Sequence, residues 1–447
     1  MKAVISNRIY LNCEKGSDLE DYLSSNLTYT IDRMPVSEYP EIIKHMTRIS
    51  DTAVSIPSGR TDLIPEDYKI IDKRAYVDAK IPEPSFILRP DQQECLDYFA
   101  ETATTGGLID AKPGWGKSIM GLAIAHQFQL KTLIVCTTTM IRDMWVKEIK
   151  KFFGFTPGII GGGSYTNQHA PITVGNIQTV NKMATKLSST FGMVILDECH
   201  HCTATTFTNV LFYSRASVKI GLSGTHRRKD GKHILFKDYF GDCKYTGIDI
   251  NRVKPTIWQW QSKCELSGNH LVPWALRVNK LFSNEVYFNE IHFLADQLGK
   301  AGHKVLVVAD RVDFLERLHK ATPNSLIIAG EYAKDEHTRS RVMKAVGSGK
   351  ATHLYATQSI FSEGVSLNEL SAIILATPLN NESLVEQLIG RIMRQSDGKL
   401  DPIAVDIKLE GVTGRKQANG RMAVYVREGW KVFKNVNAGF VVNACKK

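Results

Sequence analysis

The stretch Leu108-Ile109-Asp110-Ala111-Lys112-Pro113-Gly114-Trp115-Gly116-Lys117-Ser118 decides how this chain is read. An apolar lead-in gives way to a small residue and a glycine-rich turn, and Lys117 and Ser118 then open the helical run Ile119 to Gln127. In such a loop the backbone N–H groups and the helix N-terminus cradle phosphate oxygens. Gly114 and Gly116 let the backbone approach a nucleoside triphosphate, Lys117 is placed to reach its β- and γ-phosphates, and the Ser118 hydroxyl to bind Mg²⁺. Ala111 stands where the strict pattern has its first glycine. A chance Gly-Lys-Ser on a surface loop would read the same way if it stood alone.

It does not stand alone. Downstream, the apolar run Met193-Val194-Ile195-Leu196 ends at Asp197-Glu198-Cys199-His200. This is the pattern of a buried parallel strand carrying carboxylates at its C-terminal edge, beside the phosphate loop in a doubly wound sheet. Asp197 is placed to hold Mg²⁺ through its water shell, and Glu198 to orient and deprotonate an attacking water. Phosphoryl transfer asks the protein for these two roles besides charge neutralisation. A lone Asp-Glu pair is usually a strand end meeting solvent. Two such pieces in order point to ATP hydrolysis.

The chain has 447 residues, 43% of them hydrophobic, which predicts two or three domains with ordinary cores. Its net charge of +10 favours a polyanionic partner. From Arg415 onward, Lys416, Arg421, Arg427, Lys431, Lys434, Lys446 and Lys447 face only Glu428. That segment reads equally as a solvated face or as a contact with backbone phosphates. The eight cysteines are scattered and often inside apolar runs, as expected of reduced thiols rather than a disulfide framework. Cys199-His200-His201-Cys202 lacks a second ligand pair nearby and is not read as a zinc site. The N-terminus lacks the apolar core of a signal peptide, and no run approaches membrane-spanning length, so a soluble protein without a membrane partner is expected.

Alternation in Val4 to Leu11 and Leu27 to Ile31 predicts strands, with a helix near Asp18 to Ser24, and Ile81-Pro82-Glu83-Pro84 reads as a linker. Residues 1–82 are therefore expected to form a small α+β accessory domain of near-balanced charge. Residues 83–246 alternate strands (Leu108-Ile109, Thr132 to Cys136, Ile172 to Val174, Met193 to Leu196, Lys219 to Leu222) with helices over 91–102, 118–127 and 142–151, a parallel α/β pattern. The connector 247–282 carries Trp258, Trp260 and Trp274, for which packing between domains is the expected fate. A second α/β rhythm fills 283–447, with strands at 304–309, 325–329, 353–356, 372–376 and 403–407 and no phosphate loop of its own.

This second lobe offers charges instead. Gln387-Leu388-Ile389-Gly390-Arg391-Ile392-Met393-Arg394 lies on a helical run from Glu382, so Arg391 and Arg394, three apart, are expected on one helix face beside Gln387. That suits a clamp on a γ-phosphate held by another domain, where such arginines contribute on the order of 10³ or more in rate. A solvent-exposed basic helix would look the same.

Together these segments resemble the superfamily 2 helicase motifs in their usual order. Arg89-Pro90-Asp91-Gln92 resembles the adenine-reading Q-type element, and Gly114 to Ser118 motif I. Thr137 to Thr139 and Ile177-Gln178-Thr179 are similar to motifs Ia and Ib, and Asp197 to His200 resembles motif II in its DECH form. Ser223-Gly224-Thr225 resembles motif III, Ala356-Thr357 through Glu363-Gly364-Val365-Ser366 motif V, and Gln387 to Arg394 motif VI. The match covers roughly residues 85 to 410. Ile160 to Ser164, the DECH box and the N-terminal domain most resemble the phage UvsW-like helicases. Two departures stand out: Ser366 replaces a frequent Asp, and Asp91 replaces a frequent aromatic, which leaves Phe86 to stack on adenine.

The resemblance implies two tandem RecA-like parallel-sheet domains with a small N-terminal α+β accessory domain, ATP and Mg²⁺ as cofactors, and DNA, branched or duplex-containing, as partner. It places Arg89, Gln92 and Gly364 with the loop residues at the nucleotide. Lys117, Glu198, Gln387, Arg391 and Arg394 are then catalytic, with Ser118 and Asp197 at the metal. It assigns backbone-phosphate contacts to Thr138, Gln178, Thr179, Gly330 and Thr357. The chain is expected to act as a monomer in the cytoplasm, the host's if it is phage-encoded. Two other readings stay open: an RNA helicase or RNA-remodelling ATPase, and a nucleic-acid-stimulated ATPase serving as an interaction platform without net unwinding.

Overall fold

Apolar runs such as those in Thr132–Cys136, Met193–Asp197, Val305–Ala309 and Ala372–Leu375 are strands that can be covered on both faces, and they lie inside two largely parallel sheets. The computed structural model describes residues 1–447 except 32–39, 103–105, 113, 202–204, 225–231, 248–251, 267–270, 330–340, 343–344, 347, 349–350, 359–368, 397 and 447. By contacts the chain divides into two units, Met1–Asp249 and Ile250–Lys447. No helix among the described residues is long and apolar enough to cross a membrane.

In the first unit an eight-stranded sheet runs, in spatial order, Ser164–Thr166, Gly158–Gly161, Ile172–Asn176, Thr132–Cys136, Met193–Asp197, Val218–Ser223, Gly106–Ala111 and Lys244–Gly247. Only the edge strand Ser164–Thr166 is antiparallel to its neighbour. The carboxylate strand is not beside the phosphate-loop strand, as its sequence suggested. Val218–Ser223 lies between them, with Asp197 opposite Leu222 and Ser223 opposite Asp110. Helices Pro90–Thr102, Lys117–Phe128 and Thr139–Phe153 are the three expected from the sequence.

The N-terminal residues form a separate sheet, ordered Thr47–Ser50, Ala53–Pro57, Arg8–Asn12, Lys2–Ile5 and Lys69–Asp72. The single strand expected over Val4 to Leu11 is a hairpin, because the chain reverses at Ser6-Asn7, where Ser6 N–H donates to Arg8 O (2.8 Å). Reversal keeps Ala3, Ile5, Ile9 and Leu11 on one buried face. This small domain is fastened to the first large sheet. Asp238, with no exposed surface, accepts from Tyr29 Oη (2.8 Å) and Arg60 Nη1 (3.2 Å) and meets His45 Nδ1 at 2.6 Å. The buried Lys219 donates to Ser58 Oγ (2.7 Å). The chain leading into the linker is pinned as well, with Ala75 bridging to Ala216 and Asp78 to Leu130, and at the first linker residue Ile81 N–H donates to Gln129 Oε1 (2.9 Å).

The second unit holds a seven-stranded, all-parallel sheet ordered Ser325–Ile328, His353–Thr357, Val305–Ala309, Ala372–Leu375, Ile403–Glu410, Thr256–Glu265 and Lys431–Val436. The connector thus supplies a strand of this sheet. Trp258 and Trp260 are buried in the second unit's own core rather than packed between domains, and Trp274 is left 41% exposed. Arg421 belongs to no surface: it is buried and paired with the buried Asp406 at 2.7 Å.

Candidate nucleotide site and motor residues

Helix Lys117–Phe128 starts without a side-chain cap, at Gly116, whose φ of +102° follows Gly114 at +99°. Both values lie where a side chain is strained. At Gly116 space forbids one too, since a Cβ would come 2.4 Å from Gln92 Nε2. Lys117 Nζ folds back to donate to Ala111 O at 2.8 Å, so the ammonium spans the turn that a phosphate would enter. Between the glycines Trp115 is fully buried against Tyr245, and its carbonyl accepts from Arg89 Nη2 (2.7 Å) and Gln92 Nε2 (3.0 Å). Gln92 Oε1 accepts from Arg89 N–H (3.0 Å), and Asp91 holds Arg89 Nε at 3.1 Å. The Q-type residues are therefore committed to the backbone of the phosphate loop. Phe86, the expected adenine platform, packs edge-on against Phe152.

Asp197 ends its strand buried, and two neutral donors hold it: Trp145 Nε1 on Oδ2 (2.8 Å) and Glu198 N–H on Oδ1 (3.0 Å). Burial, and then the Glu198 carboxylate, push Asp197 up to about 6, against the Trp145 hydrogen bond and the charge of Lys117. A buried carboxylate in that state favours a cation, so Mg²⁺ fits Asp197 by its electrostatics. Glu198 has a φ of +51°, a left-handed conformation that costs a non-glycine residue roughly 1 kcal/mol or more. It meets His200 Nδ1 at 3.3 Å, and the same nitrogen lies 3.4 Å from Ser223 Oγ. A polar relay thus runs from the proposed base to the end of the strand that separates the two motif-bearing strands. Sequence reasoning assigned no contacts to Trp115, Trp145 or the His200–Ser223 pair; an indole inside a motif or on the helix after one was the available signal.

In the second unit, helix Glu382–Gly390 carries a half-buried Gln387 and stops before either arginine. The shared helix face expected for Arg391 and Arg394 does not exist, because the chain tightens after Gly390. Arg391 N–H donates to Leu388 O and Ile392 N–H to Ile389 O, three residues back. Arg391 is buried, and Arg394 forms an antiparallel bridge with Arg252, with Lys399 Nζ donating to its carbonyl (2.6 Å).

The residues expected on nucleic acid fall at element ends. Thr138 caps helix Thr139–Phe153, its Oγ1 accepting from Ile141 N–H (3.3 Å). Gln178 is exposed and Thr179 half-buried at the start of helix Ile177–Lys182, and Thr357 closes its strand half-buried. Gly330, Gly364, Ser366, Thr225 and Cys202 lie outside the described residues.

Residues 85–228 match the family described as the res subunit of type III restriction enzymes, and 289–396 the helicase conserved C-terminal domain. A chain of Escherichia phage T5 named "Probable helicase D10" is 46% identical over 96% of this chain and 95% of its own length. The DNA 3'-5' translocase XPB2 of Sulfurisphaera tokodaii is 32% identical over 75% of this chain and 86% of its own. The ATP-dependent DNA helicase uvsW of phage T4 is 24% identical, covering 79% of each chain. Among solved structures, S. cerevisiae Dbp5 bound to RNA and ADP BeF3 shares the fold with a TM-score of 0.57 at 11% identity, over 80% of this chain and 92% of that one. Its two parallel-sheet domains and a near full-length helicase relative place this chain in superfamily 2, as an ATP-driven nucleic-acid helicase.

Proposed function

We propose that this protein is an ATP-dependent DNA motor that remodels branched DNA, such as forks, displacement loops and Holliday junctions. The observation that supports it most is that its relatives with DNA in their names, the translocase and uvsW, match over three quarters of the chain or more. Lys117 neutralises the β- and γ-phosphates from within the loop that Arg89 and Gln92 brace. Ser118 and Asp197 would hold Mg²⁺, which supplies further charge neutralisation when bound. Glu198 takes the proton of the attacking water, and His200 and Ser223 report its state to the neighbouring strand. Arg391 and Arg394, with Gln387, stabilise charge on the γ-phosphate from the second lobe, and Thr138, Gln178, Thr179, Gly330 and Thr357 grip backbone phosphates without reading sequence. Closure with ATP and relaxation after hydrolysis then give directional stepping.

The test compares ATPase stimulation and strand displacement on a four-way junction, a fork, a tailed duplex and an RNA duplex, using the full-length protein. Lys117→Ala serves as the control that silences turnover on all four. Displacement is expected to be fastest on the branched DNA substrates. Equal rates on all DNA forms would reduce the protein to a general helicase, and preference for the RNA duplex would overturn the DNA reading.

A further inference from the structure

Trp145 sits in an ordinary place. Ile141, Trp145, Ile149 and Phe153 are the buried residues of helix Thr139–Phe153, spaced by four, so an apolar side chain is required at each. Packing accounts for a large ring at 145, but not for an indole, because phenylalanine would fill an apolar stripe without a donor. Two other buried indoles do without a partner: Trp115 Nε1 and Trp260 Nε1 have no hydrogen bond among the described residues. Trp145 Nε1 instead points at Asp197 Oδ2, 2.8 Å away, across 52 residues of sequence.

We propose that Trp145 is a positioning residue for the metal-bearing carboxylate, fixing the plane of Asp197 from the side while the Glu198 N–H fixes it from the backbone. One donor on each oxygen sets the rotation of the carboxylate and leaves each oxygen further acceptor capacity. The same ring reaches the other half of the site. A Cβ on Gly121, in the helix that opens with Lys117 and Ser118, would lie 3.1 Å from Trp145 Cη2. The indole is thus wedged between the phosphate-binding helix and the carboxylate strand, and its size spaces them. Partners that orient a ligating group typically change metal affinity about 10- to 100-fold when removed.

The inference rests on the reading that Asp197 carries Mg²⁺, and the experiment separates the two. Binding of Mn²⁺ in the presence of a non-hydrolysable ATP analogue is followed by electron paramagnetic resonance, alongside affinity for the same analogue in EDTA. Full-length protein is used with Trp145→Phe and with 3-benzothienylalanine at 145, which keeps the indole's shape and replaces its N–H by sulfur. Both replacements are expected to weaken Mn²⁺ by about tenfold or more, with analogue affinity in EDTA unchanged. Mn²⁺ affinity within twofold of the natural protein in the benzothienyl form would overturn the inference, as would an equal loss of analogue affinity with and without metal. Retention of Mn²⁺ binding by Asp197→Ala would instead overturn the assignment of the metal to Asp197.

Discussion

Each large parallel sheet buries an aspartate, and the two are treated in opposite ways. In the second unit Asp406 lies in mid-strand, 1% exposed, and receives a full cation: Arg421 Nε donates to it at 2.7 Å. The guanidinium is spent as well, donating to Leu379 O and Ile407 O. In the first unit Asp197 lies at a strand end and accepts from the N–H groups of Trp145 and Glu198. Mid-strand, a carboxylate is sealed by its own chain and serves the fold. At the carboxyl end of a parallel strand, where open α/β sheets bind ligands, it is held by neutral N–H donors, which suits the proposed role of meeting a cation from outside. The difference shows that burial of a charge does not identify a functional site; the chemistry of its donors does.

The contrast is most easily broken at Asp406. Arg421→Met strands a buried carboxylate and is expected to cost about 3–5 kcal/mol, measured by denaturant unfolding; an unchanged midpoint would mean that the pair is not structural. At Asp197 the same question is asked with protons. Because the carboxyl must be ionised to meet Mg²⁺, the Mg²⁺ concentration for half-maximal ATPase is expected to rise about tenfold per pH unit below about 6. A carboxyl of ordinary acidity would leave that concentration flat down to pH 5.

Stability of the metal-free protein should move the other way. A carboxyl whose folded value is raised binds its proton more tightly than the unfolded chain does. Its contribution is therefore fully present below its ordinary value of 3.8 and is lost as pH rises through about 6. The difference in melting temperature between the natural protein and Asp197→Asn, recorded from pH 4 to 7 without metal, is the readout, and a flat difference would remove Asp197 from the account.

The smallest effect belongs to Lys219, a buried cation in the same sheet whose partners among the described residues are a hydroxyl and a carbonyl. Burial, with Arg74 and Arg8 adding, pushes it down to about 7. Its penalty is absent above about 10.5, grows as pH falls and is complete near 7. Lys219→Met should raise the melting temperature at pH 7 by about 2–4 °C, equivalent to about 1 kcal/mol, and by much less at pH 10. A decrease at pH 7 would show that the hydrogen bond to Ser58 outweighs the burial.

What the sequence revealed divides along the same line. Strands such as Met193–Asp197 and Thr132–Cys136 were legible because both faces of a parallel sheet demand unbroken apolar runs, and the loop at 114–118 because its glycines are forced by backbone geometry. The hairpin at Ser6-Asn7 was not, since its residues continue the alternation on either side. The end of helix Glu382–Gly390 was hidden for a similar reason: Arg391 keeps helical backbone angles (φ −66°, ψ −32°) and no proline follows to mark the stop. Arg421 looked like part of a basic surface because its partner lies on another element, and Trp145 looked like core. Composition cannot reveal a donor's target.

The fastening of the N-terminal domain at Asp238 has a consequence for how the protein is made. Arg60 leaves the ribosome 178 residues ahead of Asp238. At about 5–20 residues per second that is a wait of roughly 9 to 36 seconds. During it Arg60 has Asp62 beside it, at 3.0 Å in the finished fold, but Tyr29 and His45 have not yet met their carboxylate. The inner surface of the first domain to be synthesised is thus completed by one of the last segments of the first unit. Birth order and folding order part company here, and the nascent chain must hold its opening domain half-finished until the first motor lobe emerges to close it.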